Sequence, residues 1–115
     1  MLMTEGQVAS QQDLAQLLTA LVDLKKGKRD VRLPIAWTGL LGRVADAFND
    51  VVEQNERMAD ELSRLSQSVG KEGKLGQRLV AGNVSGFWAE SVESVNDLIN
   101  DLVHPTSETA RVIGA

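Results

Sequence analysis

The chain has 115 residues, which by size allows one domain or a short array of smaller repeated units. Aromatic residues make up 3% and tyrosine is absent, so a core must be built from Leu, Val, Ile and Ala, which suits helices packed on helices better than sandwiches or enzyme pockets. A formal net charge of -4 argues against nucleic acid as a main partner, and with no cysteine there is no disulfide frame, thiol nucleophile or cysteine zinc site.

The opening "MLMTEGQVASQQDLAQ" has neither a basic start nor an apolar run, so it reads as neither signal peptide nor anchor, with residues 1–9 expected to be disordered or frayed. No window approaches the roughly 18 apolar residues that a membrane span requires. The first predicted helix covers 10–26, where Leu14, Leu17, Leu21 and Leu24 recur at spacings of 3 and 4 and Gly27 supplies a C-terminal stop. A connector, 27–37, follows. Its basic run "KKGKRDVR" reads as a solvated turn after a helix whose last carbonyls favour cations. Val31, Leu33 and Ile35 are expected to lie on the helices.

The second helix is predicted over 38–69. Trp37, Leu41, Val44, Phe48, Val51, Asn55, Met58, Leu62, Leu65 and Val69 form an alternating 4, 3 seam with one polar member. A 3.5-residue repeat of this length drifts around a straight helix, so left-handed supercoiling with partner helices is expected. Asp46, Asp50, Glu53, Arg57, Asp60, Glu61 and Arg64 mark the opposite, charged face. Asn55 is open to two readings, a buried residue that fixes register or a hydrated one just off the tightest layer. A second connector, 70–86, should lay Leu75, Leu79 and Val80 on the helices. The third helix, 87–104, carries Trp88, Val92, Val95, Ile99 and Leu102.

The plan is used twice. "GKRDVRL" from Gly27 and "GKLGQRL" from Gly73 share Gly, Lys, Arg and Leu at an offset of 46, while Gly39/Gly86, Asn49/Asn96 and Asp50/Asp97 match at 47, so the second connector is one residue longer. The long middle helix therefore serves as second helix of one unit and first helix of the next. The recurrence of Asn49 and Asn96 beside the seam predicts a contact from each to its connector. Trp37 and Trp88 read as packing anchors at the helix openings.

These features resemble the HAMP domain, and more closely the concatenated arrays of cytosolic, fungal-type (group III) hybrid histidine kinases. Gly27, Val31 and Leu33 fit the HAMP connector, "GRVADAFNDV" from Gly42 fits its second helix, and residues 37–49 follow the array form "WxGLxGxxAxxFN". "VGKEGKLGQR", "VSGFWAESVESVNDLINDLV" and "PTSETARVIGA" are similar to long stretches of those arrays. The acidic pair general to the family is replaced by Gly39 and Leu40, and by Gly86 and Phe87 in the second unit. The resemblance covers about residues 14 to 115.

It implies an all-α fold of two concatenated units, 10–69 and 42–104, each half of a parallel dimeric four-helix coiled coil. The dimer core would be formed by Leu14, Leu17, Leu21, Leu24, Leu41, Val44, Phe48, Val51, Asn55, Met58, Leu62, Leu65, Val69, Trp88, Val92, Val95, Ile99 and Leu102, and the connectors set by Gly27, Val31, Leu33, Gly73, Leu75 and Leu79. Pro105 would open a third unit, cut short within 105–115. The implied function is a non-catalytic, cytoplasmic signal relay between input and kinase domains, with itself as partner in a homodimer, no cofactor, and no membrane or nucleic acid.

Enzyme readings lack parts. His104, the sole histidine, is followed by "PTSETAR" and not by the acid and "RTP" of a phosphoacceptor site, so it reads as a linker or helix-end residue. No serine stands in a triad-like order with it, "GKEGKLG" is not a phosphate loop, and one histidine does not make a metal site. The alternative from another class is a static coiled-coil scaffold without switching, for which two glycine-rich crossings with buried aliphatics have no use.

Overall fold

The computed structural model describes the backbone of residues 10–114 and the side chains of residues 10–103. Residues 1–9, expected to be frayed, and the side chain of His104 lie outside that description. Within it the regular structure is helical: α1 (Gln11–Lys25), α2 (Gly39–Leu65) with a π-helical turn (Ser66–Lys71) directly after it, and α3 (Phe87–Gly114). No helix among the described residues is long and apolar enough to cross a membrane. The chain divides into two compact units, residues 1–56 and 57–115. The boundary falls within α2, so this one helix belongs to both.

Local signals explain where α1 begins and ends. Ser10 caps it reciprocally: its Oγ accepts the Asp13 N–H at 3.0 Å, and its own N–H donates to Asp13 Oδ2 at 3.3 Å. At the other end Gly27, at φ +77°, turns the chain left-handed. Its N–H then bonds the Leu24 carbonyl and the Lys28 N–H bonds that of Asp23, the Schellman pair that satisfies a helix's last carbonyls. The start of α2 depends on a close approach: a Cβ on Gly42 would stand 2.4 Å from the Trp37 carbonyl oxygen.

In the first unit Ala20, Leu33, Ala45, Phe48 and Val52 are buried together, with Leu17, Leu24, Val31 and Trp37 packed against them. The second unit buries Met58, Leu65, Leu79 and Ile99, with Val69, Ala81, Trp88, Val92, Val95 and Val103 alongside. The faces of α2 and α3 used in this way correspond: Ala45, Phe48 and Val52 stand 47 residues before Val92, Val95 and Ile99.

Four expectations are corrected. Ile35 is 89% exposed and Val80 70% exposed. Extended backbone alternates its side chains, so Val80 faces away from its buried neighbour Leu79, while the turn closed by Trp37 N–H on the Pro34 carbonyl takes Ile35 off the Val31–Leu33 face. Leu75 is likewise exposed, beside the Gly73 turn. The third helix does not stop at residue 104 but continues through Pro105 to Gly114. Proline has a φ compatible with a helix and forfeits one hydrogen bond, so its presence alone does not end the element.

Phe48 fills the first unit's core whereas Glu53 is exposed. Phe48→Ala should cost on the order of 3 kcal/mol through the cavity it leaves, and Glu53→Ala close to zero. Thermal melts of the two variants check this, and equal midpoints would reject the core assignment.

Candidate functional site: two latched connectors

Each connector brings a leucine backbone down onto an apolar helix face, where its N–H and C=O lose water and need replacement partners. In the first unit Asn49 supplies both. Its Oδ1 accepts the Leu33 N–H at 2.8 Å and its Nδ2 donates to the Leu33 carbonyl at 3.0 Å. Leu33 is only 2% exposed. In the second unit Asn96 repeats the arrangement on Leu79, accepting at 2.7 Å and donating at 3.2 Å. The contact that the recurrence of the two asparagines predicts is present in both units.

A second set of contacts differs between the units. Glu56 accepts the Asp30 N–H through Oε2 at 2.6 Å and pairs through Oε1 with Arg32 Nη2 at 2.8 Å. Asp30 is the described non-glycine residue held at positive φ, +62°, so this carboxylate secures a turn that L-residues adopt reluctantly. The Arg32 hydrogen bond first, and the Asp30 N–H second, hold the Glu56 carboxyl below its ordinary range, and the same bond raises Arg32.

Arg78, the counterpart of Arg32, meets an amide there in place of a carboxylate among the described residues. Its Nε and Nη2 donate to Asn100 Oδ1 at 3.1 and 2.7 Å, and its Nη1 donates to the Leu75 and Gln77 carbonyls. Ionic support comes instead from α2: Glu61 Oε2 accepts the Val80 N–H at 2.7 Å, and Arg64 donates to Glu61, to Gln77 Oε1 and to the Arg78 carbonyl. Arg64 first, then the Val80 N–H, lower the Glu61 carboxyl against the opposing effect of burial. Helical periodicity places Glu61 and Arg64 on a solvated face; they are in fact the side chains that hold the second connector.

The anticipated core residues divide into two sets. Leu17, Leu24, Val31, Leu33 and Phe48 come together in the first unit, and Met58, Leu65, Val69, Leu79, Trp88, Val92, Val95 and Ile99 in the second. Leu14, Leu21, Val44, Val51, Leu62 and Leu102 remain exposed in the single chain, and Leu41 and Asn55 are half-buried. Gly27 and Gly73 both sit at positive φ where a connector begins.

Ala45 and Val52, absent from the sequence-derived seam, are almost fully buried. Residues 41, 45, 48, 52 and 55 follow the same 4, 3 spacing as 41, 44, 48, 51 and 55, so spacing cannot choose between the stripes. The offset of 47 could have chosen, because it aligns Ala45 and Val52 with Val92 and Ile99. No protein-family model matches this chain, and no solved structure matches it.

Asn49→Ala leaves the Leu33 N–H and carbonyl unpaired in an apolar setting and should cost about 2 kcal/mol in denaturant unfolding. Asn49→Asp should fall between the two, since a carboxylate still accepts the Leu33 N–H but opposes its carbonyl. A wild-type value for the alanine variant would reject the latch.

The depressed Glu56 carboxyl also carries a sign. A folded-state pKa below the unfolded one contributes stability that is complete above the ordinary value of 4.5 and is lost as pH falls through the depressed value. Wild type should therefore lose more thermal stability than Glu56→Gln between pH 7 and acid, with the difference developing below about pH 4.5. Parallel curves for the two proteins would show that the pairing has no bearing on stability.

Proposed function

We propose that the chain is a non-catalytic relay of conformational signals, two concatenated HAMP-like units that work as a parallel homodimer between input and kinase or other output domains of a cytoplasmic signalling protein. The observation that carries this reading is the paired latch, Leu33 on Asn49 and Leu79 on Asn96. A device that fixes an extended crossing onto a helix at the same place in both units gives each helix pair a defined relative setting, and α2 takes part in both settings. Relay requires two such settings a few kcal/mol apart.

The dimer is supported by what one chain leaves uncovered. In α1, Leu14, Leu18 and Leu21 form an exposed stripe at spacings of 4 and 3, and in α2 Leu40, Val44 and Val51 lie exposed beside the buried Ala45, Phe48 and Val52. An apolar face that is wider than one partner helix covers belongs in a bundle of more than two helices. A second copy in parallel supplies two more helices and a matching stripe on each. The static-scaffold reading shares the dimer, so it separates from the relay only by its response to a perturbation.

Sedimentation equilibrium should give a dimer at micromolar concentration, and a stable monomer would remove the basis of the proposal. In a Trp37→Phe background, where Trp88 is the sole tryptophan, Leu33→Ala in the first connector should shift Trp88 fluorescence and the disulfide trapping of cysteines placed at Val95 and Ile99, at constant helix content. The physical reason is that a continuous helix cannot turn in one unit without turning in the next. No change at Trp88 would leave a static scaffold.

A further inference from the structure

The helix that leads into each connector ends differently in the two units. In the first, buried Ala20 and half-buried Leu24 stand seven and three residues before Gly27. In the second, buried Leu65 and half-buried Val69 stand eight and four residues before Gly73, whose φ of +70° makes it the counterpart of Gly27. From either glycine to the latched leucine the distance is the same, six residues. One surplus residue therefore lies between the second unit's core and its turning glycine.

The hydrogen bonds show where that residue goes. At the end of α1 the Lys28 N–H reaches back five residues to the Asp23 carbonyl, closing an ordinary helical end. At the corresponding place the Lys74 N–H reaches back six, to the Ser68 carbonyl at 2.9 Å, and the Glu72 N–H bonds the Gln67 carbonyl five back, within the π-helical turn Ser66–Lys71. The ring is one residue wider. A π turn is the way a helix takes up an insertion without breaking, and its hydrogen-bond geometry makes it rare except where a structure has a use for it. Gly70, inside the turn, has open space around it and lowers helix propensity further.

We propose that the Ser66–Lys71 π turn is a register-adjusting element: it stores the surplus residue, and by relaxing to an α-helical end it displaces the second connector by one residue against the α2 face. One residue corresponds to about 100° of helix, which is sufficient to change which face of α2 meets Leu79. The first unit has no such element at the end of α1. Motion of α2 is therefore passed to the second connector through a turn able to take two lengths, and the proposal rests on the relay reading for that use but not for the storage itself.

The test uses the whole chain with Gly70 deleted, and Gly70→Ala as the length-preserving control. In the intact chain, amide hydrogen exchange at residues 70–74 should be about tenfold faster than at 24–28, the end of α1. Deletion should bring the two ends to equal protection, and Gly70→Ala should leave them unequal. Equal protection in the intact chain, or no change on deletion, overturns the proposal.

The Trp88 response to Leu33→Ala in the Trp37→Phe background should fall to less than half on deletion of Gly70. A response of undiminished size overturns the register-adjusting role while the relay stands. Absence of any response in the intact chain overturns the relay, and the exchange measurement alone then decides the storage role. Should the deletion fail to fold, insertion of one alanine after Lys25 supplies the converse: the end of α1 should acquire the fast-exchanging turn, and an unchanged end overturns the proposal.

Discussion

A leucine backbone buried against a helix without a strand to pair it is the constraint on which both units depend. A sheet would satisfy the exposed N–H and C=O through a ladder, and a helix through its own turn, but a connector crossing a helix face has neither. A side-chain amide fits this need because its oxygen accepts and its NH2 donates from one planar group, so that it can serve a residue's N–H and C=O together. Asn49 and Asn96 are used in this way, and with Leu33 and Leu79 so fixed the remaining core residues have a surface to close on.

Above this common base the units differ in what holds the connector. The first relies on a carboxylate, Glu56, that serves a backbone N–H and a guanidinium together; the second uses an amide, Asn100, for the equivalent guanidinium and draws its carboxylate, Glu61, from the other helix. The glycines follow the same division. In the first unit Gly42 lets a helix start press against a carbonyl, whereas the second has Ala89 at that position, together with a wider turn at Ser66–Lys71. Two units on one plan are thus held by different contacts, a difference that the proposed relay would use if neighbouring units are to occupy different states.

The apolar face of α2 is wider than its own chain covers. Phe48 lies in two interleaved stripes of equal spacing, one through Ala45 and Val52 and one through Val44 and Val51. The first is consumed by α1 and the connector; the second is left to water in the single chain. Exposed apolar area of this regularity is what a partner helix covers, and it ties the proposed dimer to the same residues that define the fold.

Much of this was legible in the sequence because it is periodic or repeated. Helical class, the glycine at which α1 ends and the duplication of the connector all follow from local spacing, and the amide latch was visible as an asparagine that recurs beside the seam. Ala45 and Val52 were not legible from periodicity, since a 3.5-residue pattern admits two stripes and only the packing of α1 and Leu33 selects one. Nor were Glu56, Glu61 and Arg64: a charged residue on a helix looks the same whether it meets solvent or a connector residue 13 to 26 positions away in sequence. The sequence by itself determined where the three helices lie and where the unit repeats, because those depend on residues a few positions apart, though not how far the third helix runs. Tertiary structure alone decided which stripe is buried, which charges hold the connectors and where the surplus residue is stored, because each depends on hydrogen bonds and packing that exist only once the chain has folded back on itself.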